Sequence, residues 1–168
     1  TVTGTANATS GVVTGSGTTY NIAISNMTQN GTVTVSIAAG VATDAAGNLS
    51  LAGTSSDDTV VYDTTGPTVT VEQAAGQDDP TGLTPGNFTV TFSNPVVDFD
   101  AADLLIGGTA PGTKTAEVTE IAPLDGTTYN VAVSGMTGNG TVIVSVPSST
   151  VLDEDGNPNY ASSSVDNS

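Results

Sequence analysis

The sequence of 168 residues predicts an all-β protein made of two antiparallel β-sandwiches in tandem. Three observations support this fold class: the patterned stretches have a period of two residues, turn-forming pairs separate them, and one long segment recurs. Apolar and polar residues alternate as expected of strands that bury one face, and no stretch shows the 3.6-residue period of a helix. About seven short strands in roughly 100 residues are typical of a sandwich.

A long segment near the start of the chain returns later. Residues 17–25, GTTYNIAIS, return 109 positions later as residues 126–134, GTTYNVAVS, and the match continues without a gap to 47–48 and 156–157. A spacing near 100 residues exceeds a solenoid repeat and corresponds to tandem copies of one small domain. We therefore expect two copies of one domain, an organisation that usually bears loads or spans distances.

Strands are expected wherever the alternation occurs between turn residues. Asn30-Gly31 and Asn139-Gly140 are tight-turn signals because Asn and Gly tolerate positive φ, so each pair is expected to join neighbouring strands as a hairpin. The expected strands are 19–25, 32–38, 59–62, 68–72, 87–93, about 96–106, 114–121, about 161–167 and the second-copy counterparts of the first two.

The same alternation predicts the cores. Aromatic residues are scarce, with three Phe, four Tyr and no Trp, so a core must consist mostly of Val, Ile and Leu. The side chains expected to face inward in the hairpin strands are Tyr20, Ile22, Ile24, Val33, Val35 and Ile37 in the first copy, and Tyr129, Val131, Val133, Val142, Val144 and Val146 in the second.

The predicted boundary between the copies is a linker at 63–66, which follows the strand 59–62. Pro67 opens the next strand at a position that needs no backbone donor. We expect 1–62 to be the C-terminal part of one sandwich and 67–168 to be a second, nearly complete sandwich. The linker is too short to be a loose tether between them.

The first copy lacks any counterpart of residues 67–104, which hold the first three strands of the second copy. The correspondence begins only at 4–6, which match 108–110. Half a sandwich would leave inner faces and strand edges exposed. Two explanations stay open: the missing strands belong to sequence upstream of the first residue, or another chain donates them.

Composition disfavours several classes of function. Seventeen acidic residues against one basic residue, Lys114, give a net charge of −16, which disfavours binding to nucleic acids or anionic membranes. The absence of Cys, His and Arg removes disulfides, thiol nucleophiles, the Ser-His-Asp triad and imidazole metal sites. No apolar run approaches the roughly 18 residues that would cross a bilayer. We expect a protein that is not an enzyme and does not insert into membranes.

A set of motifs follows in order through the chain: 63–71 (DTTGPTVTV), 88–96 (FTVTFSNPV), 99–104 (FDAADL), 125–129 (DGTTY) and 153–157 (DEDGN). This series resembles the bacterial immunoglobulin-like repeats of large surface adhesins, biofilm proteins and some S-layer or extracellular filament proteins. The resemblance implies tandem immunoglobulin-like sandwiches, the first incomplete at its N-terminus. It also implies a non-catalytic structural repeat of an extracellular protein at the bacterial cell surface, such as an adhesin stalk, an S-layer or a fibre. Its expected partners are neighbouring repeats of the same or adjacent chains, with self-assembly into a fibre or layer.

Two alternative functions stay open. The first is a subunit of an extracellular filament that is assembled by strand donation between chains. The second is a glycan- or ligand-binding module at the tip of an array. Sugar sites usually use aromatic platforms, and a chain without Trp and with four Tyr is poorly equipped for one.

Two loops, 44–48 and 153–157, are candidates for calcium sites. Alternating oxygen-bearing side chains beside a glycine turn can direct several oxygens at one point, which suits Ca²⁺. In an immunoglobulin-like topology, Asp63 should lie at the same end of the second domain as 153–157, so that calcium would stiffen the joint between domains. The competing interpretation is an ordinary turn in which Asp and Asn cap their own backbone. The expected ligands are Asp153, Asp155, Asn157, Asp63, Asp44 and Asn48.

Overall fold

The structure is a computed structural model that describes all 168 residues. It contains thirteen β-strands and one short 3-10 helix, so the prediction of an all-β protein is confirmed. The strands form five small sheets in which all strand pairs are antiparallel. The chain divides into two compact units, Thr1–Thr64 and Thr65–Ser168, and this division falls within the stretch 63–66.

Unit 1 holds five strands: β1 (Val2–Thr3), β2 (Ser10–Ser16), β3 (Thr19–Ser25), β4 (Gly31–Val35) and β5 (Thr59–Tyr62). One sheet has the order β1-β4-β5, and the other consists of β2 and β3 alone. The chain therefore alternates between two small sheets as it passes through the unit.

Unit 2 holds eight strands and the 3-10 helix (Ala101–Asp103): β6 (Val69–Gln73), β7 (Gly86–Phe92), β8 (Val96–Val97), β9 (Leu105–Gly107), β10 (Thr115–Glu120), β11 (Thr128–Ser134), β12 (Ile143–Ser145) and β13 (Leu152–Asp153). Its main sheet has the order β10-β11-β7-β6. Two further pairs, β12 with β9 and β13 with β8, complete the unit.

The core of unit 2 follows the predicted alternation. Side chains at every second position of β6, β7 and β11 point to one face of the sheet and are buried there. The register places Val90 opposite Val71 on one side and Tyr129 on the other. The buried core consists of Val69, Val71, Phe88, Val90, Phe92, Val96, Phe99, Tyr129, Val131, Val133, Val144, Val146 and Val151.

Three aromatic rings form a cluster within this core. The ring of Phe99 lies 5.1 Å from that of Phe92 and 4.9 Å from that of Tyr129, and Phe92 lies 6.0 Å from Tyr129. All three pairs meet edge to face, the geometry that aligns the positive edge of one ring with the negative face of another. The cluster therefore links β7, β11 and the segment after β8.

Unit 1 buries little of its apolar surface. Ala6 and Val33 are its buried hydrophobic residues. The predicted inward residues Ile22, Ile24 and Val35 are half-buried. Unit 1 therefore has the strands of a sandwich half without a developed core.

The prediction that Tyr20 and Ile37 are buried is wrong. Tyr20 is 58% exposed and Ile37 is 48% exposed, whereas their counterparts Tyr129 and Val146 are 7% and 1% exposed. The sequence of each strand is nearly the same in both units, so the difference lies in what covers it. In unit 2, β6, β7 and the aromatic cluster complete the core, and unit 1 has no strands in their place.

The prediction of hairpins at Asn30-Gly31 and Asn139-Gly140 is also wrong. β3 and β4 belong to different sheets, as do β11 and β12, so the chain changes sheets at each Asn-Gly pair. Gly140 has a φ of 159°, and a Cβ there would lie 2.3 Å from the backbone nitrogen of Ala110. Glycine is needed because two backbones approach closely, and the tight turn of a hairpin is not formed.

The predicted strand 96–106 is interrupted. Asp98 adopts a left-handed φ of 56°, which ends β8. The carboxylate of Asp100 then accepts the backbone N–H of Ala102 at 2.7 Å, and that of Asp103 accepts the N–H of Asp100 at 3.0 Å. This capping box starts the 3-10 helix between β8 and β9.

The predicted strand 161–167 is an extended segment that forms only an isolated bridge. It lies parallel to β6, where the N–H of Ser163 donates to the carbonyl of Val69 at 3.0 Å and the N–H of Val71 donates to the carbonyl of Ser163 at 3.1 Å. The segment therefore lies along the outer side of β6 without forming a ladder.

Candidate functional site

The Asp153 loop, residues 153–157, is a turn closed by its own side chains. Asp153 is buried, and its Oδ1 accepts the backbone N–H groups of Asp155 at 3.0 Å and Asn157 at 2.7 Å. Its Oδ2 accepts the side-chain Nδ2 of Asn157 at 3.2 Å. The backbone N–H of Asp153 donates to the carbonyl of Asn157 at 3.1 Å. Both carboxylate oxygens of Asp153 are therefore engaged inside the turn.

The Asp44 loop, residues 44–48, repeats this arrangement in unit 1. Oδ1 of Asp44 accepts the backbone N–H groups of Ala46 and Asn48 at 2.9 Å, and Oδ2 accepts Nδ2 of Asn48 at 2.9 Å. These hydrogen bonds, led by the one from the Asn48 side chain, hold the pKa of Asp44 below its usual value. The two loops are therefore local copies of one turn.

Asp63 is held at the end of unit 1 by Asn30. Nδ2 of Asn30 donates to a carboxylate oxygen of Asp63. Oδ1 of Asn30 accepts the backbone N–H of Thr64 at 3.0 Å and its hydroxyl at 2.8 Å. One amide side chain thus fixes the last residues of the unit.

The residues of the two loops do not fit a calcium site. Ca²⁺ takes six to eight oxygen ligands, whereas Asp44 and Asp153 already accept amide donors with both carboxylate oxygens, and the side chains of Glu154 and Asp155 are exposed. The structure has no group of three or more acidic, His or Cys side chains that could hold a metal ion. No buried side-chain nitrogen or oxygen lacks a hydrogen-bond partner. The self-capped turn is the interpretation that the side chains support.

A pair of hydrogen-bonded threonines occurs at equivalent positions in each unit, after β1 and at the start of β4 in unit 1, and after β9 and before β12 in unit 2. In unit 1, the N–H of Thr32 donates to Oγ1 of Thr5 at 2.9 Å. In unit 2, the N–H of Thr141 donates to Oγ1 of Thr109 at 3.0 Å. The two units therefore share this local contact, and the matching Gly-Thr-Ala triplets at 4–6 and 108–110 were its signal in the sequence.

Two anchoring side chains were not predicted from the sequence. Asn159 is 2% exposed, and its Oδ1 accepts the N–H groups of Thr150 at 3.0 Å and Val151 at 2.9 Å. Glu72 accepts the backbone N–H groups of Val165 at 3.0 Å and Asp166 at 2.7 Å, which lowers its pKa. Nothing in the periodicity could reveal either contact, because both link segments distant in sequence.

One open depression lies in unit 2, with a volume of about 600 Å³. Its lining is mostly Gly, Thr, Pro and amide side chains, and Asp79 is the one acidic side chain in it. A pair of carboxylates, which glycoside hydrolysis requires, is not present in this lining.

Charge is distributed unevenly along the chain. Residues 1–43 contain no charged side chain, and all seventeen acidic residues follow from Asp44 onward. β2 and β3 of unit 1 are therefore neutral, while β10, at the edge of the main sheet of unit 2, carries Glu117 and Glu120.

β3 is paired with β2 on one side only, and its other side is called the open edge. In unit 2 the corresponding strand, β11, is paired on both sides, with β10 and with β7. In unit 1, β3 has only β2 beside it. The edge of β3 is therefore unpaired where that of its counterpart β11 is paired.

The structure holds no helix with the length and apolarity that crossing a membrane would require. No protein-family model, no curated protein and no solved structure matches the chain.

Proposed function

We propose that this chain is a non-catalytic structural segment of a bacterial extracellular surface protein, built from two immunoglobulin-like sandwiches in tandem. In this proposal 1–62 is the C-terminal part of one repeat, 63–66 is the linker, and 67–168 is a second, nearly complete repeat. The parent protein would be an adhesin stalk, an S-layer or a fibre, in which neighbouring repeats are the partners.

The observation that carries the proposal is that the same hydrogen bonds occur inside both units. The threonine pair and the self-capped Asp loop recur with distances that agree within about 0.3 Å. The side chains of Asp44, Asn48, Asp153 and Asn157 are engaged in closing these turns, as expected of a protein whose function is mechanical.

Force spectroscopy on a chain tethered at both ends tests the proposal. Unit 2 should unfold as one separate event that lengthens the chain by about 300 Å, since its 104 residues each span about 3.4 Å when extended and part of that length is already present in the fold. The variant Val131→Ala should lower the unfolding force without changing this length. Extension without a resolved event, or one event that includes both units, would contradict the proposal.

A second candidate function is a filament subunit assembled by strand donation. The open edge of β3 favours it, because an unpaired edge beside half-buried apolar side chains is what a donated strand would cover. A glycan-binding module finds less support, since three of the seven aromatic residues are buried in the core of unit 2 with their rings against one another.

A further inference from the structure

The β2 edge, the side of β2 that faces away from β3, has no partner strand. Its counterpart in unit 2 is the outer edge of β10, because β10 pairs with β11 as β2 pairs with β3. Unit 2 contains β6, β7 and β8, which unit 1 lacks, and β10 is still the last strand of its sheet. Unit 1 contains β5, which unit 2 lacks, and β5 lies in the other sheet. The β2 edge is therefore open in the topology that both units share.

Alternate residues of β2 direct their backbone N–H and C=O groups to this edge. In unit 2 the N–H of Ile121, directly after β10, donates to the carbonyl of Thr128 at 2.8 Å, which fixes the alternation along β10. Residues an even number of positions from Ile121 bond to β11, and those between them face outward. In the same register of β2, the residues that face outward are Gly11, Val13 and Gly15. Their backbone groups are available to another strand.

β10 has the charges that commonly protect an edge strand, and β2 does not. Glu117 and Glu120 lie on β10, where their carboxylates discourage pairing with a further strand. The equivalent positions of β2 hold Val12 and Gly15. Val12 is 58% exposed and Glu117 is also exposed, so this face of the sheet meets solvent in both units. The β2 edge therefore lacks charge where its counterpart has it.

The sequence of β2, SGVVTGS, is nearly the same in both directions. An antiparallel pair of two such strands, with a two-fold axis at Val13, matches each residue with one of its own kind or shape: Ser10 with Ser16, Gly11 with Gly15 and Val12 with Thr14. Val and Thr share a branched shape, and both favour strands. A two-fold interface needs such self-complementarity, because the same surface serves both partners.

Charge restricts where two copies of this chain can approach each other. The chain has a net charge of −16, but 1–43 contains no charged side chain. Acidic surfaces of two copies repel each other, whereas a pair of uncharged strands adds no repulsion of its own. The β2 edge lies within the uncharged segment, so a second copy can meet it there without bringing carboxylates together.

We propose that two copies of this chain pair through the β2 edge, with β2 antiparallel to β2 of the second copy and Val13 on the two-fold axis. The pairing joins two β2-β3 sheets into one continuous sheet, and no strand leaves its own unit. It names the surface by which adjacent chains of the proposed structural segment meet, and it rests on that proposed function. Because a seven-residue strand makes a small interface, we expect a dissociation constant of about 0.1 mM.

Amide hydrogen exchange of the full chain, measured by NMR at about 10 µM and about 1 mM, tests this pairing. The amides of Gly11 and Val13 should exchange at least about three-fold more slowly at the higher concentration, whereas the amide of Val118 on the counterpart edge should not change. In a mixture of isotope-labelled and unlabelled chains, the Hα atoms of Val12 and Thr14 should show a contact between copies. Within one strand these two atoms are about 7 Å apart.

Two substitutions at one position separate charge from shape. Val12→Glu installs the residue that β10 has there and places one carboxylate of each copy on the same face of the joined sheet, as diagonal neighbours. It should reduce the slowing at Val13 to less than about 1.5-fold. Val12→Thr keeps an uncharged, branched side chain and should retain the slowing. The amide of Val33 in β4 shows whether unit 1 stays folded in each variant. If Val12→Glu does not fold, the unaltered chain at two concentrations still decides.

Equal exchange of the β2 amides at both concentrations would overturn the proposal. Equal slowing in the two variants would overturn it as well, and so would a slowing confined to 19–25, which would place the contact at a different edge. Force spectroscopy uses single chains, so a failure to pair leaves the tandem-segment proposal standing. Failure of that proposal would appear instead as a force trace without a separate event for unit 2.

Discussion

Truncating Tyr129 and its counterpart Tyr20 to alanine should have very different effects on stability. Tyr129 is 7% exposed, and its ring packs edge to face against Phe92 and Phe99. Tyr20 occupies the same position in a nearly identical strand but is 58% exposed. The pair therefore isolates the contribution of the covering strands from that of the residue itself.

The expected difference can be estimated from the exposed fractions. A fully covered aromatic side chain buries about 150–250 Å², so Tyr129 buries about 100 Å² more than Tyr20. At about 25 cal/mol per Å², this area corresponds to about 2.5 kcal/mol. The loss of two ring contacts adds about 1 kcal/mol. We expect Tyr129→Ala to cost about 4 kcal/mol and Tyr20→Ala to cost about 1 kcal/mol.

Urea unfolding of the full chain measures both values, with NMR amide signals assigned to each unit. Separate signals are needed because the two units have cores of different sizes and should unfold at different urea concentrations. The control variant Tyr129→Phe keeps the ring in the cluster and should cost less than about 1 kcal/mol. If the two alanine variants cost the same within about 0.5 kcal/mol, the covering strands do not explain the difference in burial.

Four further predictions concern individual side chains. Because backbone N–H groups lower the pKa of Glu72, the free energy of unfolding should fall as pH drops below about 4.5, and this loss should be smaller in Glu72→Gln when the midpoint is followed across pH. Burial, aided by nearby Glu and Asp charges, raises the pKa of Tyr129; stability should therefore fall as pH rises above about 10, where unfolded tyrosine ionises first, and absorbance titration of Tyr129→Phe should lack the late phase. Asp153→Ala should lower the stability of unit 2 by about 1–3 kcal/mol, while a chelator should leave the melting temperature of the unchanged protein where it is. In urea unfolding, Gly156→Ala should destabilise unit 2 by about 1 kcal/mol and Gly140→Ala by several times as much, because of these two positions only Gly140 would bring the added Cβ against a backbone atom.

The sequence predicted the strands of unit 2 well because their pattern is local. Alternation in 68–72, 87–93 and 114–121 depends on side chains two positions apart, and the structure has strands there within two residues. Burial in unit 1 could not be predicted in this way. Tyr20 has the same neighbours in sequence as Tyr129, and its exposure is decided by strands that unit 1 does not contain.

The errors have different physical origins. At Asn139-Gly140, the sequence pair is compatible with a tight turn, but glycine serves the close approach of Ala110. In 96–106, the pattern Asp-x-x-Asp at 100–103 is a capping signal that competes with the apolar alternation around it, and the cap prevails. Local patterns that support two structures are resolved only by contacts from elsewhere in the chain.

The candidate loops could be located from the sequence, but their chemistry could not. The spacing of Asp153 and Asn157 suits both an ion and a self-capped turn, because each needs oxygens near a glycine. In the structure the amide nitrogen of Asn157 points to the carboxylate of Asp153, as in a self-capped turn. The absence of charged side chains from 1–43 can be read from the sequence, whereas the single neighbour of β3 can be read only from the structure.

The side chain of Asn30, which holds the last residues of unit 1, is subject to deamidation. Asn30 precedes glycine, which leaves its side-chain amide open to attack by the next backbone nitrogen, and the product of hydrolysis is aspartate or isoaspartate. Aspartate at this position replaces the Nδ2 donor to Asp63 with a second carboxylate, so an attraction becomes a repulsion. The acceptor for Thr64 would remain while the hold on Asp63 is lost. Ageing of the protein should therefore loosen the last residues of unit 1 before its sheets are affected.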